Sequence, residues 1–143
     1  MLRKFKPSDK KELLNIFQRN IPAYFDPEET MLLSRYLDTQ GDTYWTMEHK
    51  NKIVGGIGHY FDTNDNSGQI TWIFFDPDYS GQGLGKQAME HCLAILEANP
   101  KLEKLVVRTS QLVYGFFEKF GFKLQYTEKN YWGPGLDLYY MEK

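Results

Sequence analysis

The segment that most constrains the fold is a glycine-rich stretch between two apolar runs. In DPDYSGQGLGKQAM, residues 76–89, glycines occupy the alternate positions 81, 83 and 85. The run before it, QITWIFF, is typical of a buried strand, and the run after it has apolar residues at helical spacing. Free N–H groups at the start of a helix attract anions, and glycines leave room for an anion to reach them. We therefore predict a strand, a turn suited to phosphate and a helix.

Two familiar phosphate-binding loops do not fit these residues. A Walker A loop has Gly at the position that is Ser80 here, and Ser or Thr at the position that is Gln87. A dinucleotide-binding loop has Gly where this chain has Lys86, and it belongs to the first βα turn of a parallel sheet. The residues alone leave two interpretations, a glycine-rich turn without a ligand and a diphosphate site of another kind.

Length, charge and cysteine content limit the remaining possibilities. The 143 residues are enough for one domain, 1–143, with a core of its own. The net charge of -2 gives no electrostatic indication of nucleic acid or of an anionic membrane as a partner. A single cysteine, Cys92, excludes an intramolecular disulfide. No segment approaches the roughly 20 apolar residues that span a bilayer, and the N-terminus lacks the pattern of a signal peptide. We expect a cytoplasmic protein.

The patterning of the whole chain predicts elements in the order β-α-α-β-β-β-α-β-α-β-β. The first helix is expected to follow a capping box made by Asp9 and Glu12, and the second to follow Asp26 as N-cap and to end near Asp38. The predicted strands are 2–6, 43–49, 53–61, 69–75, 104–109, 122–128 and 136–141, and the last helix covers 110–120.

This order combines an antiparallel meander with one right-handed βαβ crossover. It indicates an α+β fold, loosely α/β, in which one mixed sheet has helices on both faces. The aromatic strand 136–141 is expected at an edge of the sheet, where pairing with a second copy would make a homodimer.

In this context the glycine stretch resembles the pyrophosphate loop of the GNAT family of N-acetyltransferases, usually written Arg/Gln-x-x-Gly-x-Gly/Ala. VVRTSQLVYGFFEKFGF, residues 106–122, resembles the second signature of that family, and IVGGIG, residues 53–58, resembles its third-strand segment. The likeness covers essentially the whole chain and implies the GNAT acyltransferase fold. It also implies acetyl transfer from acetyl-CoA to a primary amine by direct attack in a ternary complex, without a metal.

The resemblance also implies where the coenzyme binds. The end of the fourth strand would offer main-chain groups to the pantetheine arm and the acetyl carbonyl, through Ile73, Phe74 and Phe75. The pyrophosphate would be held by the loop residues Gln82, Gly83, Leu84, Gly85 and Lys86. The first residue of the family pattern aligns with Ser80, so one side-chain contact is lost, and Gln82 or Lys86 would replace it.

The acid and the base are less directly indicated. Many family members carry, at the position of Phe117, a Tyr that protonates the departing thiolate. Tyr114 lies one turn earlier on roughly the same helix face and is the candidate acid. His59 is the first candidate base because the pKa of a free histidine is about 6.5, and Glu48 and Asp76 are the others. Asp76 also suits a cap on the turn before the following proline.

The amine acceptor is expected to bind beside IPAYF, the loop between the first two helices, at Tyr24 and Phe25. Tyr131, Trp132 and the turn 133–135 would form the opposite wall. The resemblance implies that the second helix borders the acceptor cleft. Its first acidic residues, Asp26, Glu28 and Glu29, are expected to serve the helix dipole first and also to attract a cationic amine. These residues do not distinguish a small amine, an antibiotic, a peptide N-terminus and a lysine side chain.

Two other functions remain open at the level of the sequence. Because Phe117 has no hydroxyl, a non-catalytic acyl-CoA-binding module is the first alternative. A nucleotide-phosphate binder with a different donor is the second.

Overall fold

A computed structural model describes all 143 residues, Met1 to Lys143. Seven strands form one sheet in the spatial order β1-β2-β3-β4-β5-β7-β6. Only β4 and β5 pair in parallel; every other pair is antiparallel. The predicted order of elements and the mixed fold class are confirmed. The strands are β1 Leu2–Lys4, β2 Tyr44–His49, β3 Lys52–Asp62, β4 Ser67–Phe75, β5 Lys104–Thr109, β6 Lys123–Gly133 and β7 Leu136–Glu142.

Helices cover both faces of the sheet. Their bounds are α1 Lys10–Gln18, α2 Glu29–Gln40, α3 Leu84–Glu97 and α4 Tyr114–Glu118. α1 and α2 pack on one face through an aromatic cluster that includes Phe17, Tyr36, Tyr44 and Phe74. The apolar side of α3 packs on the other face, where it meets the interior side chains of β3, β5 and β7. The two clusters lie on either side of the central strand β4.

The capping box predicted at the start of α1 is wrong. The carboxylate of Asp9 accepts hydrogen bonds from the backbone N–H of Lys6 at 2.8 Å and from Oγ1 of Thr46 at 3.0 Å, and it pairs with Arg3. These contacts lie behind the helix, so Asp9 connects β1, β2 and the start of α1 instead of capping the helix that follows.

The last helix is shorter than predicted. The carbonyl of Ser110 accepts hydrogen bonds from the N–H groups of Val113 at 3.2 Å and Tyr114 at 3.0 Å, so residues 110–113 form a turn. α4 has five residues and begins only at Tyr114.

The prediction that residues 136–141 form an edge strand is wrong. β7 pairs with β5 on one side and with β6 on the other. The two edges of the sheet are β1 and β6, and the residues of β6 from Lys123 to Tyr131 are exposed. A dimer made by strand pairing would therefore use β6 or the three-residue strand β1.

No helix in the structure combines the length and the apolar character needed to cross a bilayer.

Candidate active site

The two parallel strands separate in the centre of the sheet. Their paired residues are Ser67–Ile70 of β4 and Lys104–Val107 of β5, and no pair follows. The register between β3 and β4 shifts at Gly56–Gly58, and Trp72 on β4 has a φ of 48°. Such a bulge bends the strand that carries it. A cleft therefore opens at the carboxyl ends of β4 and β5.

Gly55 allows β3 to follow the bent strand. A Cβ on this residue would overlap the carbonyl oxygen of Phe74, and its φ of 151° also disfavours a side chain. The backbone of β4 therefore approaches this glycine closely. The bend in β4 thus depends on a bare backbone in the neighbouring strand.

A cavity of about 270 Å³ fills the cleft. Trp72 of β4 and Phe117 of α4 line its inner part, and Tyr24 and Phe25 of the α1–α2 loop line one side. Trp132 of the β6–β7 hairpin lines the other side. The structure therefore brings together both predicted acceptor residues and one residue of the predicted opposite wall.

The hairpin is held against the end of β5. Nε1 of Trp132 donates a hydrogen bond to the carbonyl of Thr109 at 3.0 Å, and Nε2 of Gln111 donates to the carbonyl of Gly135 at 2.8 Å. A Cβ on Gly133 would overlap the carboxylate of Asp26. The hairpin and the segment before α2 therefore meet above the cavity.

One carboxyl group lies in this cavity. Glu29 is only 4% exposed, and its Oε2 accepts a hydrogen bond from the backbone N–H of Asp26 at 2.9 Å. In return, Oδ2 of Asp26 accepts from the N–H of Glu28 at 3.0 Å. Burial raises the pKa of Glu29 to about 7; the hydrogen bond from Asp26 opposes this shift and the charge of Asp26 adds to it. No cation pairs with Glu29.

Sequence reasoning did not single out Glu29 from the other acids before α2. It also placed the start of α2 too early, because the helix begins at Glu29 and not just after Asp26. The signal was present in the spacing Asp26-x-x-Glu29, which is the pattern of a capping box. In such a box the second side chain folds back over the preceding loop, which here borders the cavity.

The glycine-rich loop presents free backbone donors. The N–H groups of residues 81–86 donate to no acceptor in the protein, whereas the next N–H, that of Gln87, donates to the carbonyl of Gly83 at 3.1 Å. Gly81 and Gly83 have φ values of 80° and 75°, and a Cβ on either would meet nothing within 4 Å. The loop precedes the 14-residue helix α3, whose dipole is positive at this end. This arrangement can bind a diphosphate.

Gly85 has a different structural role. A Cβ there would lie 2.9 Å from the ring of Phe116, so this glycine allows α4 to pack against the start of α3. Of the other predicted coenzyme residues, Ile73 lines the cavity, while the side chains of Phe74 and Phe75 pack on opposite faces of the sheet.

The structure does not bring the two predicted catalytic residues to the cavity. Nδ1 of His59 lies 3.3 Å from Nε1 of Trp45 and 4.0 Å from Sγ of Cys92, on the face that carries α3. Burial also lowers the pKa of His59. The ring of Tyr114 packs against that of Tyr139 at a centroid distance of 4.9 Å, and it does not line the cavity either.

The other two candidate bases are engaged elsewhere. Glu48 pairs with Arg3. Both oxygens of Asp76 accept hydrogen bonds from Arg19 at 3.0 Å, and Oδ1 also caps the N–H of Asp78 at 3.0 Å. Nδ2 of the adjacent Asn20 donates to the carbonyl of Phe75 at 3.1 Å. These contacts attach the end of α1 to the end of β4, which fixes where the acceptor loop begins.

A splayed parallel strand pair beside a helix with free N–H groups offers a cleft for a thioester next to donors for a diphosphate, which is what an acyl-CoA-dependent acyltransferase requires. Residues 10–122 match the model of the Acetyltransferase (GNAT) family. The chain belongs to this family and is an N-acetyltransferase that uses acetyl-CoA.

One curated relative is similar in sequence, and solved structures are similar in fold. The chain is 26% identical over 133 residues to peptidyl-lysine N-acetyltransferase YjaB of Salmonella typhimurium, covering 86% of this chain and 83% of that protein. Its fold is similar to that of Ard1 from Thermoplasma volcanium, with a TM-score of 0.82, 17% identity and coverage of 100% and 95% of the two chains. It is also similar to an aminoglycoside 6'-N-acetyltransferase complexed with coenzyme A, with a TM-score of 0.77, 12% identity and coverage of 100% and 96%.

Proposed function

We propose that this enzyme acetylates the primary amine of a lysine side chain, by direct attack of the amine on acetyl-CoA while both are bound in the central cleft. The observation that carries the proposal is the position of the cavity. It lies where β4 and β5 separate, and residues of both strands and of the acceptor loop line it. The helix α3, which the glycine loop precedes, packs on the face of the sheet opposite α1 and α2. A thioester entering from one face and an amine entering from the other would therefore meet between β4 and β5.

The glycine loop is proposed to hold the pyrophosphate through the N–H groups of Gln82, Gly83, Leu84, Gly85 and Lys86. All lack an acceptor in the protein, and backbone donors at a helix start are suited to phosphate oxygens. The family pattern has Arg or Gln at the position of Ser80, whose side chain is too short to make the same contact. The side chains of Gln82 and Lys86 are exposed beside the loop, so either can contact the pyrophosphate instead.

The pantetheine arm is proposed to lie along the unpaired end of β4. Beyond Ile70 this strand has no neighbour on the side of β5, so its backbone from Ile73 to Phe75 has space for the amide groups of the coenzyme. An oxyanion that forms at the thioester carbon needs a hydrogen-bond donor, and a backbone N–H at the bulge would supply it.

The volume and the lining of the cleft favour a lysine over a larger acceptor. The cavity measures about 270 Å³, and aromatic rings on two sides suit the aliphatic part of an extended amine. The relative named for acetylation of peptidyl lysine supports the same substrate class. We also propose a cytoplasmic location, since the single cysteine is buried and unpaired.

The proposal is tested by measuring thiol release from acetyl-CoA with a panel of amines. The panel contains a peptide with an internal lysine and a blocked N-terminus, a lysine-free peptide with a free N-terminus, an aminoglycoside and a polyamine. Turnover is expected for the lysine peptide. Tight CoA binding without turnover on any amine would instead support the non-catalytic acyl-CoA module. Displacement of CoA by ATP at comparable concentration would support a nucleotide-phosphate binder.

Replacing Tyr114 by Phe is expected to change kcat by less than about 3-fold, because its ring packs on Tyr139 outside the cavity. The thiolate can leave without a dedicated acid, since the pKa of a free thiol is only about 8.5. Steady-state kinetics with the lysine peptide check this, and Tyr139→Phe is the matched control for packing. A loss of about 100-fold for Tyr114→Phe alone, the usual contribution of a general acid, would identify Tyr114 as the acid.

A further inference from the structure

We propose, resting on the function proposed above, that Glu29 binds the ammonium group of the acceptor in the cleft and accepts its proton before the amine attacks the thioester. Burial and a position in the wall of the cavity distinguish Glu29 from the acidic residues beside it.

Glu29 is the only carboxyl group that lines the cavity. It has 4% exposure, so a charged partner can reach it only through the cavity. Its Oε2 is occupied by the N–H of Asp26, whereas Oε1 accepts no hydrogen bond from the protein and is not sealed from solvent. One carboxylate oxygen is thus positioned by the loop and the other is free for a ligand.

The surroundings of Glu29 suit a cation. Aromatic side chains from three different elements line the same cavity: Tyr24, Phe25, Trp72 and Trp132. The faces of aromatic rings attract ammonium groups, and they do so more strongly where water is excluded. A buried carboxylate without a cationic partner is unfavourable by itself, so an ammonium ligand would complete the site.

The charged and titratable groups around Glu29 leave it as the one available proton acceptor. Asp26, in the loop before α2, binds it through the backbone and disfavours its ionisation through its charge. Tyr24 in the same loop is the other titratable group on that side. Arg108 of β5 also lines the cavity, but its guanidinium donates to Gln69 at 2.8 Å and lies over the ring of Tyr140 at 5.1 Å. β4 and the hairpin contribute no charged lining residue.

The resulting step is balanced in protons and electrons. The ammonium transfers one proton to Oε1 of Glu29 and becomes a neutral amine. Its lone pair forms the C–N bond at the thioester carbon, and the C–S bond then breaks with its electron pair on sulfur. The second nitrogen proton goes to the thiolate, which leaves as the thiol of CoA, and Glu29 returns its proton to solvent. Because the pKa of Glu29 is about 7, it can accept a proton near neutral pH and release it again.

The burial of Glu29 also has a consequence for stability that does not involve catalysis. The pKa of Glu29 is 4.5 in an unfolded chain and about 7 in the folded protein. At pH values between these two, the folded state therefore holds a proton that the unfolded state has lost. Stability must therefore fall as the pH rises through this window. Glu29→Gln removes the effect, so the variant should melt at a higher temperature than the parent at about pH 8 and at a similar temperature at about pH 4.5.

Glu29→Gln is also the decisive kinetic variant, because its amide oxygen can still accept the Asp26 N–H while the basic group is lost. For the lysine peptide, kcat/KM is expected to fall by about 100-fold at pH 7. In the parent, kcat/KM should decline below about pH 7, and this limb should disappear in the variant. The deficit should shrink towards pH 10, where the amine is increasingly neutral. Glu12 is an acid in the first turn of α1 and does not line the cavity, so Glu12→Gln is the control. Its kcat/KM and pH profile should be those of the parent.

The outcomes separate this inference from the proposed function. No turnover of any amine by the parent enzyme would contradict the proposed function itself. An active parent whose Glu29→Gln variant keeps the same pH profile would overturn the role of Glu29, as would a loss that is equal at all pH values. Affinity for CoA, measured by calorimetry, should be the same in parent and variant, because Glu29 lies on the acceptor side of the cleft.

Discussion

Replacing Gly81 and Gly83 together by Ala is expected to raise the dissociation constant for CoA by about 1000-fold, which corresponds to about 4 kcal/mol. Each new Cβ would enter open space at a loop with six unpaired N–H groups, and we expect the diphosphate to occupy that space. Hydrogen bonds to charged groups contribute about 1.5–3 kcal/mol each, so displacement from two or three donors accounts for the loss. Calorimetric titration with CoA measures it directly.

Backbone strain needs a separate control in this experiment, since both glycines have a left-handed conformation that costs other residues about 1–2 kcal/mol. Gly135 provides the match: its φ is 77°, and a Cβ there would also meet nothing within 4 Å. Gly135→Ala should therefore lower the melting temperature by about as much as a single Gly→Ala change in the glycine loop. It should leave the affinity for CoA unchanged. If the double loop variant binds CoA as the parent does, the loop is not the pyrophosphate site.

The parts of the fold that depend on local patterning were predictable. β5, Lys104–Thr109, matches its prediction at both ends, because a short apolar run between Pro100 and a turn has few alternatives. The interactions of Asp9 were not predictable. They depend on Arg3, which lies on β1, and on Thr46, which lies on β2 and is distant in sequence. The edge strand was misassigned for a similar reason: the order of β6 and β7 is decided by pairing across the sheet.

In the candidate site, too, some residues were predictable from local sequence and others depend on contacts that the sequence does not reveal. Tyr24 and Phe25 were predicted as acceptor residues, and both line the cavity, because a loop between two packed helices ends at the sheet. His59 was chosen for its intrinsic pKa, but residue types do not reveal which face of a strand a side chain occupies when a bulge shifts the register. Glu29 was not singled out because its capping-box spacing predicts only a hydrogen bond to Asp26, whereas its burial in the cavity depends on the packing of the loop and the hairpin.

Replacing Phe17 by Ala is expected to lower the free energy of unfolding by about 4 kcal/mol, since this side chain is fully buried. Its ring contacts Phe25 at a centroid distance of 4.5 Å and Trp72 at 5.8 Å, and both line the cavity. The cavity left by the substitution should loosen both walls of the acceptor site, because packed interiors transmit such changes to their neighbours. The KM for the lysine peptide should therefore rise, while CoA affinity stays close to that of the parent.

Two further variants separate the effect on packing from the effect on the acceptor site. Leu96→Ala removes a buried side chain at the far end of α3 and should cost about 3 kcal/mol without changing the KM for the peptide. Phe17→Leu keeps most of the volume and should remain folded, so that its kinetics can be measured even if the alanine variant is largely unfolded. Chemical denaturation gives the stabilities. An equal rise in KM for Leu96→Ala and for the Phe17 variants would show that general destabilisation, and not the contact with Phe25 and Trp72, controls acceptor binding.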